Sequence, residues 1–237
     1  MSDAIASLSD AMRNDAETLR VIGQNVANIE TVAYRREIAV MRQNFDQVTD
    51  DARTELTRTQ RLETAIDLRP GTLKSTGEAL NLALEGPGFF VVETPQGEAL
   101  TRRGDFRLDS EGRLVTQAGL PVLGEGGAIH LDGATPQIAP DGNLRVNGEI
   151  VARLRIAQVA SESQLTSIGG DLYAGAQLPE GNDAARVRQG FLEASNVESV
   201  QEMVRLMETM RHFESVQRFV RGYDDMMGKA ISELGKV

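Results

Sequence analysis

The sequence predicts an α+β protein in which long N- and C-terminal helices pair as a coiled coil and a mainly antiparallel β domain is inserted between them. Three observations carry this reading. Apolar residues recur at heptad spacing near the N-terminus, a second long apolar stripe runs through the C-terminal region, and the residues between them form short apolar runs separated by turn residues.

At the N-terminus Ile5, Leu8, Met12, Leu19, Ile22 and Val26 fall at alternating three- and four-residue steps, interrupted only at Asp15. That spacing puts them on one face of an amphipathic helix. Ser2 or Asp3 can cap its first turn by accepting a bond from an otherwise unpaired backbone N–H. Asn25, Asn28 and Thr31 cluster where the heptad stops, which suits groups that satisfy the backbone at a helix end.

A second helix is predicted from Ser195, where Ser195 and Glu198 have the spacing of a capping box and no Pro or Gly follows until Gly222. Its stripe is drawn through Val197, Val200, Val204, Met207, Phe213, Val216, Val220, Tyr223, Met227 and Leu234, with a shortened step between Met207 and Phe213 that reads as a stammer. The shortened step passes through Met210; Met203 and Leu206 widen the stripe just before it, and a helix apolar over so broad an arc has more than one neighbour. From Ser195 to Leu234 the helix would run about 60 Å at 1.5 Å per residue.

Between the helices the period becomes that of strands. Phe89 to Val92, Leu114 to Val115 and Ile150 to Val159 alternate with turn residues at Pro95 to Gly97, Ser110 to Gly112 and Asp141 to Asn143, and Asn147 with Gly148 is the strongest hairpin signal in the chain. The stretch from Gln43 to Arg69 is polar and weakly periodic, which predicts an extended or marginally helical connector, and Pro179 to Asp183 reads as a second linker. The expected organisation is residues 1–42 as the N-terminal helix and its end, 43–74 as connector, 75–180 as β domain, and 181–237 as linker and long C-terminal helix.

No chemistry-bearing constellation stands out. The chain has no cysteine, which excludes disulfides, thiolate metal sites and cysteine nucleophiles. The two histidines, His130 and His212, are isolated, and no His and carboxylate cluster has metal-ligand spacing. Asp105 and Asp109 sit beside Gly104 and Gly112, where Asp supports turns, and Gly124, Gly126 and Gly127 lack the Gly-Lys-Ser/Thr of a phosphate loop. No catalytic, metal or cofactor residue is therefore assigned. A net charge of −10 disfavours nucleic acid and anionic membranes as partners. No segment approaches the roughly 18 consecutive apolar residues of a membrane span, and the acids in the first helix do not fit a cleaved secretory signal.

Four stretches bear a more specific resemblance. Asn25, Ala27, Asn28, Thr31, Tyr34 and Arg35 match the pattern N-x-A-N-x-x-T-x-G-(F/Y)-(K/R) that closes the first helix in flagellar rod and hook axial proteins, with Ala33 where that family has Gly. Either this turn avoids positive φ, or Ala33 bears a strain of about 1 kcal/mol. Pro70 to Leu84 with Gly86 to Val92, Thr101 to Phe106 with Gly112 to Val115, and Gly190 to Val197 resemble the family's remaining signatures in the same order. Within that family the chain length excludes the much longer hook protein and the short rod proteins without a sizeable middle domain, and the stretches Val122 to Gly127 and Met210 to Glu214, with the short connector after Tyr34, resemble proximal more than distal rod subunits.

The resemblance implies a non-enzymatic structural subunit that polymerises into a helical tube and transmits torque from motor to hook. Its implied partners are copies of itself, other proximal and distal rod subunits, and the flagellar export apparatus. It implies the basal-body rod in the periplasmic space as the location, with export that needs no cleaved signal. On this reading the residues of the two stripes, together with Asn25, Asn28, Thr31 and Tyr34, form an assembly interface. A reading of another class, a periplasmic enzyme with a helical oligomerisation stalk, would require clustered His, Lys or Ser with a base, and the β region has none.

Overall fold

The computed structural model describes residues 2–50, 53–131, 135–159, 165–175 and 185–234, with backbone alone at 2–5, 42–50, 53–61, 230, 231, 233 and 234. The chain forms two compact units. The first comprises 1–27, 37–65 and 198–237, and the second 28–36 and 66–197.

In the first unit, helix α1 (Ser2–Ala27) packs on helix α2 (Ser199–Leu234). At 36 residues α2 is about 54 Å long. Strands Glu37–Asp50 and Arg53–Ile66 pair as a two-stranded ribbon that touches α1. The stretch from Gln43 to Arg69, expected as an extended or marginally helical connector, is thus mostly paired strand. Thr54, Thr57, Thr59 and Thr64 supply β-branched propensity, and neither face is apolar enough to announce itself by alternation.

The predicted start of α2 at Ser195 is displaced to Ser199. Asn196 explains the delay. Its Oδ1 accepts from the Arg36 N–H (2.7 Å), and its Nδ2 donates to the carbonyls of Asp67 (2.9 Å) and Arg69 (2.8 Å), all within the second unit. A residue fastened in this way is held out of helical pairing, and Ser195 Oγ accepts from the Val197 N–H (3.2 Å) instead of closing a capping box.

The second unit is built of short antiparallel pairings. A five-stranded sheet runs in the spatial order Ile156–Ala157, Phe89–Thr94, Gly97–Thr101, Leu172–Ala174, Thr166–Gly169. A three-stranded sheet contains Gln137–Ile138, Asn143–Val146 and Glu149–Arg153. The run Phe89 to Val92 is apolar at every position because both of its faces are covered: Phe90 and Val92 join one core cluster with Leu82, Leu84, Leu114 and Leu144, while Phe89 and Val91 join another with Leu100 and Tyr173. The Asn147–Gly148 turn joins two of the paired strands with φ of 53° and 90° at its two residues, the left-handed pair that a tight hairpin requires. The predicted linker Pro179 to Asp183 lies outside the described residues.

The segments resembling the family signatures meet in this unit. Phe191–Glu193 pairs with Leu73–Ser75, and Arg186–Gln189 pairs with Leu82–Glu85. The contact is close enough to demand glycine at two places. A Cβ at Gly71 would lie 1.9 Å from the Ala194 carbonyl oxygen, and one at Gly104 would lie 1.7 Å from that of Leu82.

Candidate assembly interface

Within the first unit the covered stripe of α2 runs through Glu202, Leu206, Thr209, Phe213, Val216, Val220 and Tyr223, an unbroken heptad of four- and three-residue steps in which Glu202 and Val216 are buried and the others half-buried. The stammer expected between Met207 and Phe213 is therefore not needed. Two neighbouring stripes of α2 share the same spacing, and the shortened step joins one to the other. Val200, Val204, Met207 and Met227 are exposed at 75%, 43%, 53% and 41%, beside exposed Met203 and Met210. Val197 belongs to the second unit and is half-buried. On α1, Leu8, Met12, Leu19 and Val26 are half-buried and Ile22 is buried, next to buried Val21. The side chains of Ile5 and Leu234 lie outside the described residues.

Polar groups fix the junction of this unit. Asn25, 1% exposed, brackets Glu37: its Oδ1 accepts from the Glu37 N–H (2.9 Å) and its Nδ2 donates to the Glu37 carbonyl (2.8 Å). The same amide lies 3.4 Å from Oε2 of buried Glu202, whose Oε1 pairs with Arg205 at 3.3 Å. Farther along, His212 Nδ1 meets Asp15 Oδ2 at 2.6 Å, linking α2 to α1.

The turn after α1 belongs to the second unit. Thr31 N–H donates to the Asn28 carbonyl (3.2 Å), Thr31 Oγ1 donates to Asn28 Oδ1 (3.0 Å), and Tyr34, buried, donates its N–H to the Thr31 carbonyl (3.3 Å). Ala33 has φ 56° and is 1% exposed, its N–H donating to the Glu193 carbonyl at 2.8 Å. Of the two alternatives for this residue, the strained left-handed one holds. Ala33→Gly is expected to shift stability by no more than about 1 kcal/mol, because relief of strain is offset by the lost methyl burial and by added unfolded-state entropy. Urea unfolding of the two proteins checks this.

Beneath the turn lies an ionic cluster that sequence reasoning passed over. Glu193, 1% exposed, receives Arg35 Nη2 at 2.8 Å and the Gly71 N–H at 2.8 Å on Oε1, and Arg102 Nε at 2.6 Å on Oε2. Arg102 Nη2 also donates to the carbonyls of Leu84 (2.6 Å) and Gly86 (2.7 Å), and its Nη1 donates to that of Gly88. Burial holds the Arg35 guanidinium below its ordinary pKa, opposed by the charge of Glu193. Arg35, Arg102 and Glu193 each lie inside a recognised signature, so their shared membership was the signal available.

The isolated acids have ordinary structural partners. Asp109 Oδ1 accepts from the Glu111 and Arg113 N–H groups at 2.9 Å each, and Asp105 pairs with Arg103 at 2.7 Å. Among the described residues no group of His, Asp and Glu could hold a metal ion, and no helix is long and apolar enough to cross a membrane.

Two packed terminal helices in one unit and, in the other, β strands that join the signature segments to one another are the features of an axial-type subunit, and comparison with known proteins supports that class. Residues 188–233 match the profile "Flagellar basal body rod FlgEFG protein C-terminal", and residues 83–152 match "Flagellar hook protein FlgE/F/G D1 domain". The flagellar basal-body rod protein FlgF of Rhizobium meliloti is 35% identical over 224 residues, covering 92% of this chain and 91% of its own. FlgF of Caulobacter vibrioides is 32% identical with 92% of each chain covered, and FlgG of Buchnera aphidicola subsp. Schizaphis graminum is 30% identical, with 89% and 92% covered. The chain belongs to the flagellar basal-body rod protein family.

Proposed function

We propose that the chain is a structural subunit of the proximal flagellar rod, joining copies of itself and other rod subunits through its helices. The family is structural and non-enzymatic, so binding energy between subunits is the function. The observation that carries this reading is the row of apolar residues left on α2 after α1 is in place: Val200, Met203, Val204, Met207 and Met210 are all more than 40% exposed. A second packed helix would remove that row from water, each large side chain contributing about 1.5–3 kcal/mol when fully covered. The covered stripe has the heptad of a coiled coil with α1, and the outer row offers a seam to a neighbour. Subunits related head to tail in this way form open filaments.

With FlgF read as the proximal and FlgG as the distal subunit, two FlgF relatives at 35% and 32% identity beside FlgG at 30% support the proximal position. A rod subunit would be delivered by the flagellar export apparatus and would reside in the periplasmic part of the basal body. Val204→Asp tests the assembly role, because a carboxylate forced into a dry contact costs several kcal/mol while position 204 is exposed within the single chain. The variant is expected to keep the parent's melting curve and to be missing from purified basal bodies. Incorporation equal to the parent's would remove the outer row from the mechanism.

A further inference from the structure

The buried ionic cluster is not balanced. Arg35 and Arg102 are 3% and 2% exposed, and they share one carboxylate, that of Glu193. Every nitrogen of Arg102 has an acceptor, whereas Arg35 gives Nη2 to Glu193 and Nη1 to the Arg69 carbonyl (2.5 Å), leaving its Nε the one buried side-chain polar atom without a partner among the described residues. Native interiors rarely leave such a donor unpaired, and an uncompensated buried charge is costlier still. Both arginines line a cavity of about 250 Å³, whose other walls include Leu68, Pro87, Phe89 and Val159. That volume is just below the roughly 300–1,000 Å³ of pockets for drug-sized ligands.

We infer that this cavity binds a small carboxylate with a short aliphatic stem, the carboxylate meeting the Arg35 and Arg102 guanidiniums and the stem lying on the apolar walls. A guanidinium fork matches a carboxylate in shape and charge, and an added anion would offset the second positive charge. Apolar walls select against a phosphate, which would need donors on all sides. The carboxylate can belong to a free aliphatic acid or to a Glu or Asp side chain of a neighbouring subunit. The site shares no residue with the outer row of α2, so the two can fail independently.

The test is a titration of the full chain with sodium pentanoate, following the Arg35 Nε–H signal by nitrogen–proton correlation NMR, assigned through loss of the signal in Arg35→Lys. A saturable shift with a dissociation constant on the order of 1 mM is expected, with none for pentanamide, none for sodium chloride at matched ionic strength, and none in Val159→Trp, which fills the cavity. If Val159→Trp does not fold, Leu68→Trp on another wall takes its place. A capped peptide carrying one Glu between apolar residues forms the second arm. Tighter binding of the peptide assigns the carboxylate to a neighbouring chain, tighter binding of pentanoate assigns it to a free acid, and either result supports the site. Absence of a saturable shift with both probes up to about 100 mM, or an equal shift in the filled variant, overturns it.

Discussion

Val216→Asp is expected to separate the two helices and strip most of the helical signal from the protein while leaving the β unit folded. Val216 is 7% exposed at the centre of the covered stripe, with Phe213 and Val220 a turn away on either side. A carboxylate there either stays unpaired in a dry contact, at several kcal/mol, or forces α2 off α1. Neither helix is stable alone, since nucleation is unfavourable and packing supplies most helical stability. Far-UV circular dichroism and hydrogen exchange read the outcome: lost helicity and fast exchange in α1 and α2, with protection retained at Phe90, Val92 and Leu114. Arg218→Asp, on an exposed position two residues along, should move the urea midpoint by an amount equivalent to no more than about 0.5 kcal/mol.

Glu193→Ala should be the most damaging single truncation in the β unit, at about 3–5 kcal/mol. It leaves two guanidiniums buried without their carboxylate and orphans the Gly71 N–H, which donates to Glu193 at 2.8 Å. The three sequence segments that meet at Glu193, from the Arg35 turn, the Gly71 approach and the Arg102 strand end, would lose their common acceptor. Urea unfolding followed by tyrosine fluorescence measures the loss, Tyr34 and Tyr173 both being buried in this unit.

Where the sequence was informative, a local rule and the tertiary fold demanded the same residues. Asn147 and Gly148 form a turn that few other residues can make, and Phe89 to Val92 is apolar throughout because two core clusters flank its strand. Ala33 left two backbone conformations open, which its φ alone decides. The ribbon over 37–66 is hard to read because its apolar residues follow no sustained two-residue alternation. The stripe of α2 that is covered within the chain differs from its most apolar stripe for a different reason. Residues 200, 204 and 207 repeat with the same steps as 202, 206 and 209, and the apolar identities favour the first set. Yet the covered set contains Glu202 and Thr209, since buried Asn25 gives Glu202 a partner that no spacing rule anticipates. Glu193 was hidden likewise: a glutamate in isolation reads as surface, and only its approach to Arg35 and Arg102, remote in sequence, makes it core.

The central claim is that the outer row of α2 is the contact between neighbouring subunits of the rod, and photo-cross-linking in purified basal bodies tests it most directly. A photoreactive residue at Met207, 53% exposed, should give adducts between this chain and another rod subunit. The same residue at Val216 should give adducts within the chain, joining α2 to α1. Intermolecular adducts at 207 with intramolecular ones at 216 are the predicted result. Absence of the chain from the rod, or adducts at 207 that join only residues of the same chain, would contradict the account.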